Sequence, residues 1–145
     1  MRVPMKVDYG IRALVDLALN GDDRPVQAAE IAARQQIPEP YLAQLMTTLH
    51  KSGYVRSRRG PQGGHALAKS PADISLGMVI TSLEGNPAPL DCIDTPAQCS
   101  VYTVCAQREV WQTVDQAILQ VLDATTIADL ASRQRSRESL VVQGA

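Results

Sequence analysis

Three cysteines fall within one short stretch of the chain, Cys92, Cys99 and Cys105, with six and then five residues between them. Thiolates ligate iron–sulfur clusters and zinc, and they also react as redox nucleophiles. Zinc sites favour tighter pairs, roughly two to four residues apart, so this spacing suits a zinc ribbon poorly without excluding one. A cluster held by three thiolates and a fourth, non-cysteine ligand would be more labile and tunable than an all-cysteine one. A thiol switch and three unrelated core cysteines remain open beside it. The two histidines, His50 and His65, lie far from this stretch in sequence and are not expected to bind metal.

A second group of residues carries charge. Between Lys51 and Lys69 stand Lys51, Arg56, Arg58, Arg59 and Lys69 with no Asp or Glu, a local excess of five positive charges in a chain of formal net charge −1. Such a patch neutralises phosphates, which gives affinity and register but little sequence information. The overall charge argues against indiscriminate nucleic-acid binding, so any DNA contact must come from this local field.

Both groups need elements to position them. Val7, Ile11, Leu14, Val15 and Ala18 recur at helical spacing with Asp8, Arg12 and Asp16 between them, which predicts a first helix over 7–19 ending at Asn20-Gly21. After the turn-forming run Asp22-Asp23-Arg24-Pro25, a short helix over Ala28–Arg34 carries Ile31 and Ala32 inward, with Gln27 where a Ser or Thr cap is expected. Pro40 opens a third helix in which Tyr41, Leu42, Leu45, Met46 and Leu49 step by three and four until Ser52-Gly53. The two short helices form a helix-turn-helix with the third helix as reader. Its outward residues Glu39, Tyr41, Ala43, Gln44 and Thr47 are the candidates for groove contact. Gln44 can pair bidentately with adenine and Ala43 can touch a thymine methyl, while Tyr41 serves equally well as core packing.

Strands over 54–58 and 65–68 flank the tip Gly60-Pro61-Gln62-Gly63-Gly64, a hairpin wing that puts Arg56, Arg58, Arg59, Gly60, Gly63, Gly64 and His65 beside the reader. Ser75 caps a fourth helix to Leu83, and Gly85-Asn86-Pro87-Ala88-Pro89 then breaks the chain into a polar loop bearing Cys92 and Cys99. A long helix from about Thr103 follows, in which Trp111, Val114, Ile118, Val121 and Thr125 form a seam suited to pairing with another helix. Thr126 and Asp129 form a capping box for a last short helix, and the tail from about Arg135 is expected to fray.

The 145 residues and 45% apolar content suit one mainly α-helical domain with a small β-hairpin. Within it, residues 1–84 read as a winged helix-turn-helix, 85–105 as a cysteine loop, 106–134 as a dimerisation helix with a short terminal helix, and 135–145 as a flexible tail. No apolar run is long enough to cross a membrane and no secretory leader is visible, so a cytoplasmic location is expected. No phosphate loop, glycine-rich nucleotide motif or Ser/His/Asp arrangement points to an enzyme.

Three signatures resemble one known family, the winged-helix regulators typified by IscR and NsrR, also termed the Rrf-two family. They are Asp8-Tyr9-Gly10-x-Arg12-Ala13-Leu14 in the first helix, Ile37-Pro38-x-Pro40-Tyr41-Leu42 at the reader and Arg59-Gly60-Pro61-x-Gly63-Gly64 in the wing. The cysteines, followed by a long helix with Trp111, are similar to the cluster-binding branch. The resemblance implies a symmetric homodimer on a pseudo-palindromic double-stranded operator, with one two-iron or four-iron cluster per subunit near the partner's first helix. In the IscR branch a histidine three residues after the last cysteine is the fourth ligand. Here Arg108 stands there, and a guanidinium is a poor ligand. In NsrR-like members an aspartate of the first helix completes the site, which makes Asp8 the candidate and Glu109 the alternative, although Asp8 also suits a helix N-terminus by its charge alone. Ala43 stands where some IscR-type members carry a glutamate that discriminates operator classes. The implied function is a repressor whose operator affinity is controlled by a cluster sensing nitric oxide, iron, cluster status or redox. A cluster-free thiol switch or a zinc-containing regulator is the alternative.

Overall fold

The computed structural model describes residues 2–22, 24–86 and 88–144; Met1, Ala145, and Asp23 and Pro87 of the two turn-forming runs lie outside them. Seven helices and one hairpin make up the described chain: α1 Met5–Asn20, α2 Ala28–Gln35, α3 Glu39–Lys51, β1 Val55–Arg58, β2 Gly64–Leu67, α4 Leu76–Glu84, α5 Asp91–Asp94, α6 Arg108–Ala124 and α7 Ile127–Gly144.

Helix α1 lies at the centre. It packs against α2, α3, α4, α7 and β2, so Ala13, Leu14, Val15, Asp16 and Leu17 are all buried and not only one stripe of them. Asp16, read from periodicity as part of the polar face, is 0% exposed. Its carboxylate accepts from Arg34 Nε at 2.9 Å, Arg34 Nη2 at 2.8 Å and Gln35 Nε2 at 3.0 Å, which satisfies a charge that would otherwise be prohibitive in the core and ties α1 to α2.

The turn between α2 and α3 passes through Gln36 in the left-handed region, φ 53°, and Pro38 precedes the first residue of α3. Leu42, Leu45, Met46 and Leu49 turn inward against Ile31, Ala32 and α1, which sets α2 and α3 as a helix-turn-helix. At the start of α2, Gln27 replaces a hydroxyl cap: its backbone N–H donates to Glu30 Oε2 at 2.9 Å, and its side-chain Nε2 reaches the wing carbonyl of Gly63 at 2.8 Å.

The hairpin pairs Val55 with Leu67 through Arg58 with Gly64, one residue earlier on the second strand than the sequence suggests. A bridge unseen in the sequence joins Val26 to His65, with N–H to carbonyl distances of 2.8 and 2.7 Å, so the wing is stitched to the segment before α2. Gly64 is required there. Its φ is +143°, and a Cβ would lie 2.5 Å from the Val26 carbonyl oxygen.

Ser75 caps α4, accepting from the Met78 N–H at 3.2 Å. The capping box foreseen at α7 is present: Thr126 N–H donates to Asp129 Oδ2 at 2.9 Å, and Asp129 N–H to Thr126 Oγ1 at 3.1 Å. The larger differences from the sequence reading lie after α4. The cysteine stretch is a chain of short turns, α5 and two 3-10 segments at 96–98 and 102–104, and not one open loop. Thr103 sits in the second of these, and α6 starts at Arg108. Helix α7 continues through Gly144, where fraying from Arg135 was expected.

Candidate nucleic-acid interface and cysteine segment

The inward row of α3 leaves Ala43, Gln44, Thr47 and Lys51 exposed on its opposite side, and Glu39 is exposed in its first turn. Two hydroxyls on this helix bond back to its own carbonyls, Thr47 Oγ1 to Ala43 O at 3.0 Å and Thr48 Oγ1 to Gln44 O at 3.3 Å. Tyr41 is half-buried and its ring stands edge-on to Tyr9 of α1, with centroids 5.6 Å apart, so it packs the reader against α1 and contributes less to the open face.

In the wing, Arg56, Arg58, Arg59 and Gly60 are exposed, while Gly63 is buried and Gly64 and His65 are half-buried. Among the described residues none of Lys51, Arg56, Arg58 and Arg59 makes an ion pair. Lys69 instead lies over the Tyr54 ring at 5.5 Å. His65 Nδ1 and Ser57 Oγ are 2.9 Å apart across the hairpin. Burial, and secondarily the nearby His50, push the His65 pKa below the ordinary histidine value, which favours its neutral form. A surface groove runs between the wing and the α1–α2 connection, lined by Arg24, Arg56 and Arg58. Arg24 was not singled out in the sequence. Its two terminal nitrogens reach Glu30 at 3.2 and 2.7 Å, and that bond holds the Glu30 pKa down to about 2, with the Gln27 N–H assisting.

The three thiols are free and half-buried: Cys92 on α5, Cys99 after the first 3-10 turn, Cys105 after the second. As donors they suit a cluster or a thiol switch. As an arrangement within one chain they do not make a ligand set, because among the described residues no three His, Cys, Asp or Glu side chains are gathered closely enough to hold a metal ion. Asp8 is occupied. It pairs with Arg12 one turn on, at 3.2 Å from Nε and 3.0 Å from Nη2, and Arg12 also donates to the Gln35 carbonyl at the end of α2 at 3.1 Å. Arg108 bonds the Tyr102 carbonyl at 2.7 Å and lies over its ring at 4.7 Å, pinning the turn between Cys99 and Cys105 to α6. Glu109 is exposed in the first turn of that helix.

On α6, Trp111, Val114 and Ile118 are half-buried and Val121 is 65% exposed. Val110, outside the foreseen seam, is 61% exposed on the same side. The opposite side packs on α4 and α5. No helix of the described chain is long and apolar enough to cross a membrane.

Comparison with known proteins agrees with this architecture. The profile of the Rrf2 family, described as iron-dependent transcriptional regulator, matches residues 3–133. The Rrf2 protein of Nitratidesulfovibrio vulgaris is 37% identical over 130 residues, covering 90% of this chain and 87% of that protein. Among solved structures, CymR, the global cysteine regulator of B. subtilis, superposes with a TM-score of 0.79 at 33% identity, covering 92% of this chain and 98% of CymR. The T. potens IscR structure gives a TM-score of 0.76 at 37% identity, covering 92% of this chain and 88% of IscR. With a helix-turn-helix, a basic wing and a family match across most of its length, the chain belongs to the Rrf2 family of DNA-binding transcriptional regulators and is not an enzyme.

Proposed function

We propose that this chain is a cytoplasmic repressor that binds a pseudo-palindromic operator as a homodimer and whose affinity follows the state of Cys92, Cys99 and Cys105. The observation that supports it most directly is the unpaired cationic wing beside a reader helix whose outward residues have no role in the core. In this reading Lys51, Arg56, Arg58 and Arg59 hold phosphates, and Gly60, Gly63, Gly64 and His65 shape the wing. Glu39, Ala43, Gln44 and Thr47 face base edges, with Tyr41 setting the reader's angle. Residues 1–84 form the DNA-binding head, 85–105 the sensing segment and α6 the dimer contact, through Trp111, Val114, Ile118 and Val121. Two readers then enter successive major grooves about one helical turn apart.

For the thiols, the first reading is one iron–sulfur cluster per subunit held by the three cysteines, with Asp8 as fourth ligand and Glu109 as the alternative. Thiolate is the donor such clusters take. Because one chain leaves these residues apart, this reading requires the 91–105 segment to close up and a second copy to supply Asp8. The second reading is a cluster-free thiol switch, in which the half-buried free thiols respond to oxidant without a metal. In either case a coupling of about 1–3 kcal/mol changes operator affinity about 5- to 150-fold.

Anaerobic purification with ultraviolet–visible spectra and iron and sulfide analysis, on the wild type and Cys99→Ala, separates the two. A coloured protein with matched iron and sulfide, bleached by the substitution, supports the cluster. Colourless iron-replete protein whose DNA binding responds to oxidant supports the switch. Failure to enrich any sequence from a random duplex pool sinks the regulator mechanism as a whole.

A further inference from the structure

Resting on the reading of α3 as the operator reader, we infer that Thr47 reads DNA through its methyl group and not through its hydroxyl, so that Ala43 and Thr47 together form a detector of thymine C5-methyl groups. Positions 40, 43, 44, 47 and 51 lie on the side of α3 opposite Leu42, Leu45, Met46 and Leu49, and all five are exposed. A threonine in this setting ordinarily offers a donor, an acceptor and a methyl. Here the hydroxyl proton is committed to the Ala43 carbonyl at 3.0 Å, one turn back within the same helix. The donor is therefore spent, so the hydroxyl cannot donate to a base, and what Thr47 still offers is its methyl and the oxygen's lone pairs.

Ala43 contributes a second methyl one turn earlier on that side, and beside the pair Gln44 presents an amide that makes no hydrogen bond to other described residues. Two methyls beside one amide make a surface for thymine methyls and adenine edges. In the major groove only thymine carries a C5-methyl, and an Asn or Gln amide pairs bidentately with adenine. The expected ligand is thus a half-site with A·T pairs at the reader's centre, distinguished by its methyl groups as well as by its hydrogen bonds.

The test uses the full-length chain and a random-sequence duplex pool. The enriched duplex is resynthesised with single thymines replaced by uracil, which removes one methyl and leaves the pairing edge intact. Wild-type protein is expected to lose about fourfold in affinity at the sensitive thymines, the effect of exposing about one methylene's worth of apolar surface. Thr47→Val, which keeps the methyl, is expected to retain both affinity and thymine-over-uracil discrimination. Thr47→Ser, which keeps the hydroxyl, is expected to lose discrimination at one thymine per half-site. The position is exposed, and a circular dichroism spectrum matching wild type confirms that each variant folds. The reverse ranking, with Ser tolerated and Val weakened, overturns the inference, as does enrichment of a sequence indifferent to uracil. A pool in which nothing enriches overturns the operator reading itself, and the inference falls with it.

Discussion

Replacing Arg34 with alanine leaves the Asp16 carboxylate, 0% exposed, with Gln35 as its remaining partner. Removing one side of a buried, hydrogen-bonded ion pair costs about 3–5 kcal/mol, because the stranded charge has neither water nor a counter-ion. The Arg34 side chain is 39% exposed, so part of its own charge is already solvated, and the lower end, about 3 kcal/mol, is expected. For a chain of 145 residues that is a fall in Tm of about 10 °C. The assay is urea and thermal unfolding at one fixed protein concentration, since association shifts apparent stability. A companion variant, Asp16→Leu with Arg34→Met, removes both charges together and should recover at least half of the loss. If Arg34→Ala costs less than about 1 kcal/mol, or if the double variant is the worse of the two, Arg34 does not hold Asp16 and α1 is joined to α2 by apolar packing alone.

Salt dependence tests the wing. Each phosphate contact adds about 0.9 to the slope of log affinity against log salt, so Arg58→Ala in a symmetric dimer should flatten that slope by up to about 1.8, read by fluorescence anisotropy across a salt series. Gln44→Ala should weaken the selected duplex at an unchanged slope, and equal slopes for wild type and Arg58→Ala would remove Arg58 from the phosphate contacts. The lowered pKa of His65 predicts a pH effect of definite sign: the unfolded chain takes up its proton near the ordinary value of 6.5 while the folded chain resists it, so stability is full above that value and falls as pH drops through it. Wild type should lose more Tm than His65→Gln between about pH 7.5 and 5.5, and equal losses would show that His65 is not the titrating group.

The sequence displayed its helix boundaries wherever a side chain acts locally. Pro40, Ser75 and the Thr126–Asp129 pair each mark an element that the structure contains, because capping and the fixed proline φ operate within one turn of chain. Asp16 was misread because periodicity assumes one buried stripe, whereas α1 is surrounded and the residue that neutralises Asp16 arrives from 18 positions away. The Val26–His65 bridge was equally invisible, being a backbone contact between segments with no strand pattern around Val26. In the cysteine stretch the turns are too short for any period to register, so residue types pointed to candidate thiol chemistry but not to the separation of the thiols. At the C-terminus, polarity suggested fraying, yet the box at Thr126 starts a helix that runs on to Gly144.

A regulator of net charge −1 has to build a positive face by placement and not by composition. The ion pairs of the described residues show how. Lys6 with Glu84, Arg12 with Asp8, Arg24 with Glu30 and Arg34 with Asp16 each cancel one carboxylate, and every cation among them lies outside the 51–69 stretch. The Arg24–Glu30 pair matters most for the wing, since Glu30 borders the same surface groove system as Arg58 and would otherwise oppose a phosphate there. Neutralising carboxylates locally leaves Lys51, Arg56, Arg58 and Arg59 as the uncancelled charges next to the reader. The pairing of Asp8 with Arg12 belongs to the same scheme, and Arg12 also grips the end of α2. Any change that takes Asp8 from Arg12 therefore frees a cation on the same side chain whose other nitrogen bonds the end of α2.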